Sequence, residues 1–238
     1  MVRIDGRDNK ELRRVEIHPG FLEFAEGSAL VEMGKTRVIC SASIDERVPR
    51  FLRGQGKGWI TSEYGMLPRS THSRISRDRS FRGGRTMEIQ RLIGRSLRSI
   101  CDLDHMGERT ITLDCDVLQA DGGTRAAAIT GGYVALYQAL LGLVRNGLLG
   151  GVPLRDEVAA ISVGSVDGEL LVDLCYQEDA RASIDFNVVM SSAGEFIELQ
   201  GTGEERPFRK DELEDLLGLA SDAIQELILF QRAALRVL

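Results

Sequence analysis

At 238 residues, with 43% hydrophobic and 28% charged side chains, the chain can build a large core, which excludes a disordered or low-complexity protein. Its net charge of −6 argues against a uniformly basic surface, and four separated cysteines with three scattered histidines argue against a disulfide framework or a zinc cluster. The stretch Met1-Val2-Arg3-Ile4-Asp5 lacks the hydrophobic run of an export signal. No apolar stretch is expected to approach membrane-span length, so the reading is a cytoplasmic protein with reduced core thiols and no membrane partner.

In chain order, residues 29–33 and 36–43 predict a hairpin turned at Gly34-Lys35. From 50 to 82 the apolar pattern dissolves into Gly, Arg and Ser, which predicts a long functional loop. A helix is expected from about Thr86 to Cys101, with Ile89, Leu92, Ile93, Leu97 and Ile100 on one face and Arg91, Arg95 and Arg98 on the other. Residues 109–119 alternate as a half-buried strand, and 124–145 read as a buried helix, apolar almost all round and stopped by Asn146-Gly147. Strands are expected at 158–166, 169–175, 183–190 and 195–200, with Asp167-Gly168 as a two-residue hairpin turn. A last helix is expected from Lys210 to Leu235. The pattern predicts an α+β fold of two similar lobes, about 1–150 and 151–238, packed as a single unit over 1–238.

The chemistry concentrates in few places. Asp121-Gly122-Gly123-Thr124-Arg125 joins a strand to a helix, whose N-terminus carries unpaired N–H groups and the positive end of the helix dipole. Two glycines, a hydroxyl and a guanidinium there describe a phosphate seat, although a plain glycine turn has the same letters. The Walker A spacing is absent. Arg82-Gly83-Gly84-Arg85 opens the arginine-striped helix and offers Arg85 to the same anion.

Downstream, the alternation of Ile184, Phe186, Val188 and Met190 places Asp185 and Asn187 together on the opposite strand face, with Asp179 in the preceding loop. Two carboxylates beside a phosphate site suit Mg2+. Asp114 and Asp116 form a competing, lower-ranked pair. Between Arg69 and Arg98 nine arginines face only two acids, so a basic segment stands within an acidic chain. Arg69, Arg74, Arg77, Arg91, Arg95 and Arg98 are the candidate RNA contacts. Few aromatics accompany them, which favours backbone-phosphate contacts over base stacking.

Several long strings together resemble the ribonuclease PH family across essentially the whole chain. They include Glu63-Tyr64-Gly65-Met66-Leu67-Pro68-Arg69-Ser70-Thr71-His72, Gly83-Gly84-Arg85-Thr86-Met87-Glu88 and Leu113-Asp114-Cys115-Asp116-Val117-Leu118-Gln119-Ala120-Asp121-Gly122-Gly123-Thr124-Arg125, with Asp185-Phe186-Asn187 later. The resemblance implies paired β-α-β-α-like lobes (ribosomal protein S5 domain 2-like) with the active site between them. It implies phosphate-dependent 3′→5′ trimming of tRNA precursors, releasing nucleoside diphosphates, and the reverse addition of nucleotides. It places phosphate on Arg85, Gly123, Thr124 and Arg125, and catalytic, metal-associated carboxylates on Asp179 and Asp185. It also implies a homo-hexamer, a trimer of dimers, with arginines along the RNA path. The competing expectations are a metal-dependent hydrolytic nuclease and a non-catalytic RNA-binding ring subunit.

Overall fold

The computed structural model describes residues 3–77 and 83–237. Arg79 and Arg82 of the basic segment, with Asp78, lie outside the described residues. The first lobe carries β1 (Val15–Pro19), β2 (Gly27–Met33), β3 (Thr36–Asp45), β4 (Trp59–Met66), helix α1 (Gly84–Ser99), β5 (Thr110–Gln119) and helix α2 (Thr124–Arg145). The second carries β6 (Val158–Val166), β7 (Glu169–Val172), a one-turn helix α3 (Tyr176–Asp179), β8 (Ile184–Ser191), β9 (Phe196–Gly203) and helix α4 (Lys210–Leu235). This is the expected α+β architecture.

The first sheet has the order β1-β2-β3-β5-β4, antiparallel except where β4 runs parallel to β5. The second is wholly antiparallel, in the order β7-β6-β8-β9. Helix α2 packs against β2, β3 and β6, so it forms part of the core of both lobes. One continuous apolar cluster accordingly runs from Val31, Val38 and Leu113 through Leu136 to Ile161 and Ile224. Each such side chain, fully withdrawn from water, contributes roughly 1.5–3 kcal/mol. Close approach of β2 to α2 depends on Gly27, where a Cβ would lie 2.0 Å from the Ala135 carbonyl oxygen.

Three expectations are corrected. Residues 50–82 are not one long loop: a 3-10 turn at Arg50–Leu52 is followed by β4, whose Ile60, Ser62 and Tyr64 point inward. The strand expected over 169–175 stops at Val172, because Asp173 takes a left-handed φ of 54° and the chain turns into α3. Asp179 therefore ends a helical turn instead of lying in a loop. Helix α2 is also long and apolar enough to cross a membrane, contrary to the expectation, but 72% of its apolar window is buried inside the protein. Its apolarity serves the core.

Candidate active site

The two lobes meet at a cleft of about 320 Å³ lined by residues of both, among them Arg85, Gly123, Thr124 and Arg125 from the first lobe and Asp179 and Asp185 from the second. The six phosphate and catalytic residues expected from sequence, spread over 100 positions from Arg85 to Asp185, line one space. Asp114 and Asp116 do not line it. They sit half-buried on the first sheet beside Glu63, which pairs in register with Asp114.

The first-lobe side of the cleft is built by backbone. Gly122 and Gly123 have φ of 76° and 66°, a left-handed pair that side chains rarely adopt. Space forbids a substitute at Gly122 as well, since a Cβ there would lie 2.4 Å from the Leu174 carbonyl oxygen. Gly123 is the N-cap of α2 and makes no side-chain cap, so Thr124 is the first helical residue and not the cap. The N–H groups of Gly123, Thr124 and Arg125 have no acceptor among the described residues. The buried Thr124 hydroxyl instead shares a 2.8 Å hydrogen bond with Tyr64 Oη from β4. Burial raises the phenol of Tyr64, which stays protonated.

Arg125 is oriented by a relay from two other elements. Its Nη1 donates to Gln200 Oε1 of β9 at 2.7 Å and lies 3.5 Å from Glu88 Oε1 of α1, while Gln200 Nε2 donates to the same Glu88 oxygen at 2.9 Å. Arg85, exposed at the start of α1, faces the same space and acts electrostatically on both aspartates.

The carboxylate side has the opposite character. Asp185 lies on β8 between Gly164 of β6 and Thr202 of β9, with Asn187 one pleat further on. Burial and then the neighbouring Asp179 push the Asp185 carboxyl up to about 6, against the pull of Arg125 and Arg85. Burial raises Asp179 as well, opposed by Arg85 and Arg125. Asp185 Oδ1 is buried and has no hydrogen-bond partner among the described residues. An orphaned carboxylate oxygen beside a second acid is the environment a hard cation fills, and magnesium needs only one or two carboxylates when phosphate and water supply the rest. No cluster of three or more acid, His or Cys ligands exists among the described residues.

The arginines expected on RNA divide. Arg74, Arg77 and Arg91 are exposed, and exposed Arg69 donates to the His72 carbonyl at 3.1 Å. Arg95 makes a two-pronged pair with Glu198 of β9, at 2.6 and 2.8 Å, and so ties α1 to the second lobe. Arg98 is engaged within the chain: its guanidinium stacks 4.4 Å over the Trp59 ring and donates to the Ile60 carbonyl at 2.7 Å. That side chain holds α1 to β4.

Several site residues were missed from sequence. Tyr64, Gln200 and Glu88 reach the site only through tertiary contact. Tyr176 is exposed in the cleft with its ring 6.5 Å from that of His72, and no local pattern marks it.

The chain belongs to the 3′ exoribonuclease family: domain 1 of that family matches residues 11–141 and domain 2 matches residues 156–223. It is a phosphorolytic 3′→5′ exoribonuclease, a nucleotidyltransferase. Over 237 residues, 99% of this chain and 95% of the relative, it is 56% identical to Ribonuclease PH of Moorella thermoacetica. That likeness sets the hydrolytic reading aside. Among solved structures it is similar to rice (Oryza sativa) Rrp46, with a TM-score of 0.78 and 22% identity over 97% of this chain and 98% of that one. It is also similar to a chain of the Archaeoglobus fulgidus exosome with RNA bound to the active site, with a TM-score of 0.80 and 23% identity over 94% and 91%. At such identities the structural likeness establishes the fold alone.

Proposed function

We propose that the cleft seats orthophosphate on the α2 N-terminus, Arg85, Thr124 and Arg125, and that it presents Asp179 and Asp185 to the 3′-terminal phosphodiester of RNA. The observation that carries this reading is the convergence of N–H groups without an acceptor among the described residues and two arginines with exposed Asp179 and half-buried Asp185 in one space between the lobes. The chain then works as one catalytic domain, its two lobes supplying opposite halves of the site.

Phosphate oxygen attacks the terminal phosphorus, the bond from phosphorus to the 3′ oxygen of the preceding nucleotide breaks, and a nucleoside diphosphate leaves. The shortened RNA keeps a 3′ hydroxyl. Phosphate is already ionised near neutral pH, so the barrier lies in bringing two anions together, and positioning with charge neutralisation dominates. Arg125, held by Gln200 and Glu88, fixes the direction of approach. Arg85 offsets charge from the other side, and Thr124 contributes a hydroxyl that Tyr64 orients. The proton given up by the attacking hydrogenphosphate passes to the departing 3′ oxygen, with the Asp185 carboxyl as its relay. Asp179 and Asp185 would hold Mg2+, which when bound supplies Lewis-acid neutralisation of the crowded oxygens. Similar bond energies on the two sides make addition from nucleoside diphosphates measurable.

The natural substrates in this reading are tRNA precursors, reached through a ring-shaped homo-hexamer in the cytoplasm. Arg69, Arg74, Arg77 and Arg91 contact the RNA backbone. Arg95 and Arg98, engaged within the chain, contribute little. The assay is a 3′-tailed RNA incubated with and without phosphate, with released nucleotides separated by chromatography. Nucleoside diphosphates appearing only with phosphate are expected. Monophosphates released in phosphate-free buffer would overturn it.

A further inference from the structure

The anion loop is held from behind by residues that line no part of the catalytic wall. Arg13, just before β1, is buried, and Asp173, in the turn after β7, is completely so. The backbone N–H and Nε of Arg13 both donate to Asp173 Oδ2 at 2.9 Å, and Nη2 donates to Oδ1 at 2.7 Å. Two further guanidinium hydrogens go to the loop itself: Nη1 to the Asp121 carbonyl at 2.5 Å, and Nη2 to the Gly122 carbonyl at 3.4 Å. Thr36 Oγ1 of β3 donates to the same Gly122 carbonyl at 2.6 Å and accepts the Asp121 N–H at 3.0 Å.

These contacts aim the loop. In a planar trans peptide the carbonyl and the following N–H point to opposite sides. Drawing the Asp121 and Gly122 carbonyls toward Arg13 and Thr36 therefore turns the N–H groups of Gly122 and Gly123 the other way, into the cleft that both glycines line. Arg13 lies directly beneath: a Cβ on Gly123 would sit 3.0 Å from its Nη2. The same ion pair spans the lobes. Asp173 is followed closely by α3, which carries Asp179; Cys175, the residue before that helix, donates its N–H to Glu178, itself doubly bonded to buried Arg3 at 2.9 and 2.7 Å. One guanidinium thus touches both the anion loop and the segment leading to the catalytic acids.

We infer that Arg13, locked by Asp173 and assisted by Thr36, is a positioning residue that orients the loop N–H groups toward phosphate and fixes the loop against the carboxylate-bearing turn. The inference rests on the reading of that loop as the phosphate seat. Lysine in place of Arg13 keeps the charge but loses the fork that serves Asp173 and two carbonyls at once. Substitution of Thr36 by valine keeps the volume and removes only the hydroxyl.

The test compares Arg13→Lys, Thr36→Val and Arg125→Ala by phosphorolysis with phosphate varied at saturating RNA. RNA affinity is measured separately without phosphate, and thermal melting checks the fold. Arg13→Lys should raise the KM for phosphate about tenfold and Thr36→Val about threefold, the scale of a lost charge-assisted and a lost neutral contact. In both, kcat at saturating phosphate should fall by less than KM rises, and RNA affinity should stay within about twofold. A merely structural role would lower kcat with the folded fraction and leave KM unchanged. If folded Thr36→Val and Arg13→Lys keep the parent KM while Arg125→Ala raises it, the positioning role is overturned alone. If Arg125→Ala also keeps it, the phosphate seat falls with it. Should Arg13→Lys fail to fold, Thr36→Val decides.

Discussion

The two lobes bring opposite chemistry to one cleft, and they build it by different means. The first lobe contributes positive character through backbone geometry, a helix N-terminus behind two left-handed glycines, with Arg85 and Arg125 flanking it. The second contributes negative character through register, since β8 sets Asp185 and Asn187 on the pleat opposite Ile184 and Phe186. Burial has unequal consequences for the two. Arg85 stays exposed and Arg125 is held by Gln200, whereas Asp185, whose buried Oδ1 has no partner among the described residues, is driven toward its neutral form. The lesson is that the cationic half is tied down by contacts within the chain, whereas the carboxylate half keeps a buried oxygen that no described residue satisfies.

The largest effect that would break this comparison is on turnover. Asp185→Asn should lower kcat by roughly 10²–10⁴-fold while RNA binding stays within a few-fold, the range expected for a lost acid–base group. Single-turnover kinetics with separate RNA titrations check it. Arg125→Ala comes next: the phosphate KM should rise by about one to two decades, far more than the requirement for RNA. If both variants lost RNA binding and kept normal phosphate dependence, the division of labour between the lobes would be wrong.

A stability measurement sharpens the same contrast. The Asp185 carboxyl is raised from 3.8 to about 6 on folding, so its contribution is fully present below the unfolded value and is lost as pH rises through the folded one. In chelator-treated buffer, Asp185→Asn should therefore melt higher than the parent above pH 6, by on the order of 1–3 kcal/mol, with the gap closing toward pH 4. Addition of Mg2+ at neutral pH should raise the parent and leave the variant where it was. The smallest expected effect concerns α1. Arg98→Ala should cost about 1–2 kcal/mol of stability through the lost Trp59 stacking and carbonyl bond, with RNA affinity unchanged. Arg91→Ala should do the reverse, weakening RNA binding and flattening its salt dependence without moving the melting temperature.

How much could be read from the chain follows from how local each signal is. Helices α2 and α4 and strand β5 were legible because their apolar periods run for ten residues or more. Strand β4 was lost although Ile60, Ser62 and Tyr64 alternate, because the glycines at 54, 56 and 58 beside it read as loop. Strand β1 is short and begins beside a run of charges. The cleft residues Gly123, Thr124, Arg125 and Asp185 were legible from loop chemistry and alternation alone. The roles of Arg13 and Arg98 were not, since their partners Asp173 and Trp59 lie 160 and 39 positions away and nothing local distinguishes either from a solvated arginine.

Helix α2 starts at the anion seat and goes on to pack beneath both sheets. A tether of that kind leaves neither half able to come apart by itself. Calorimetry should record a single cooperative endotherm for the isolated subunit, and orthophosphate added to the sample should move the whole of it upward rather than splitting off a shoulder.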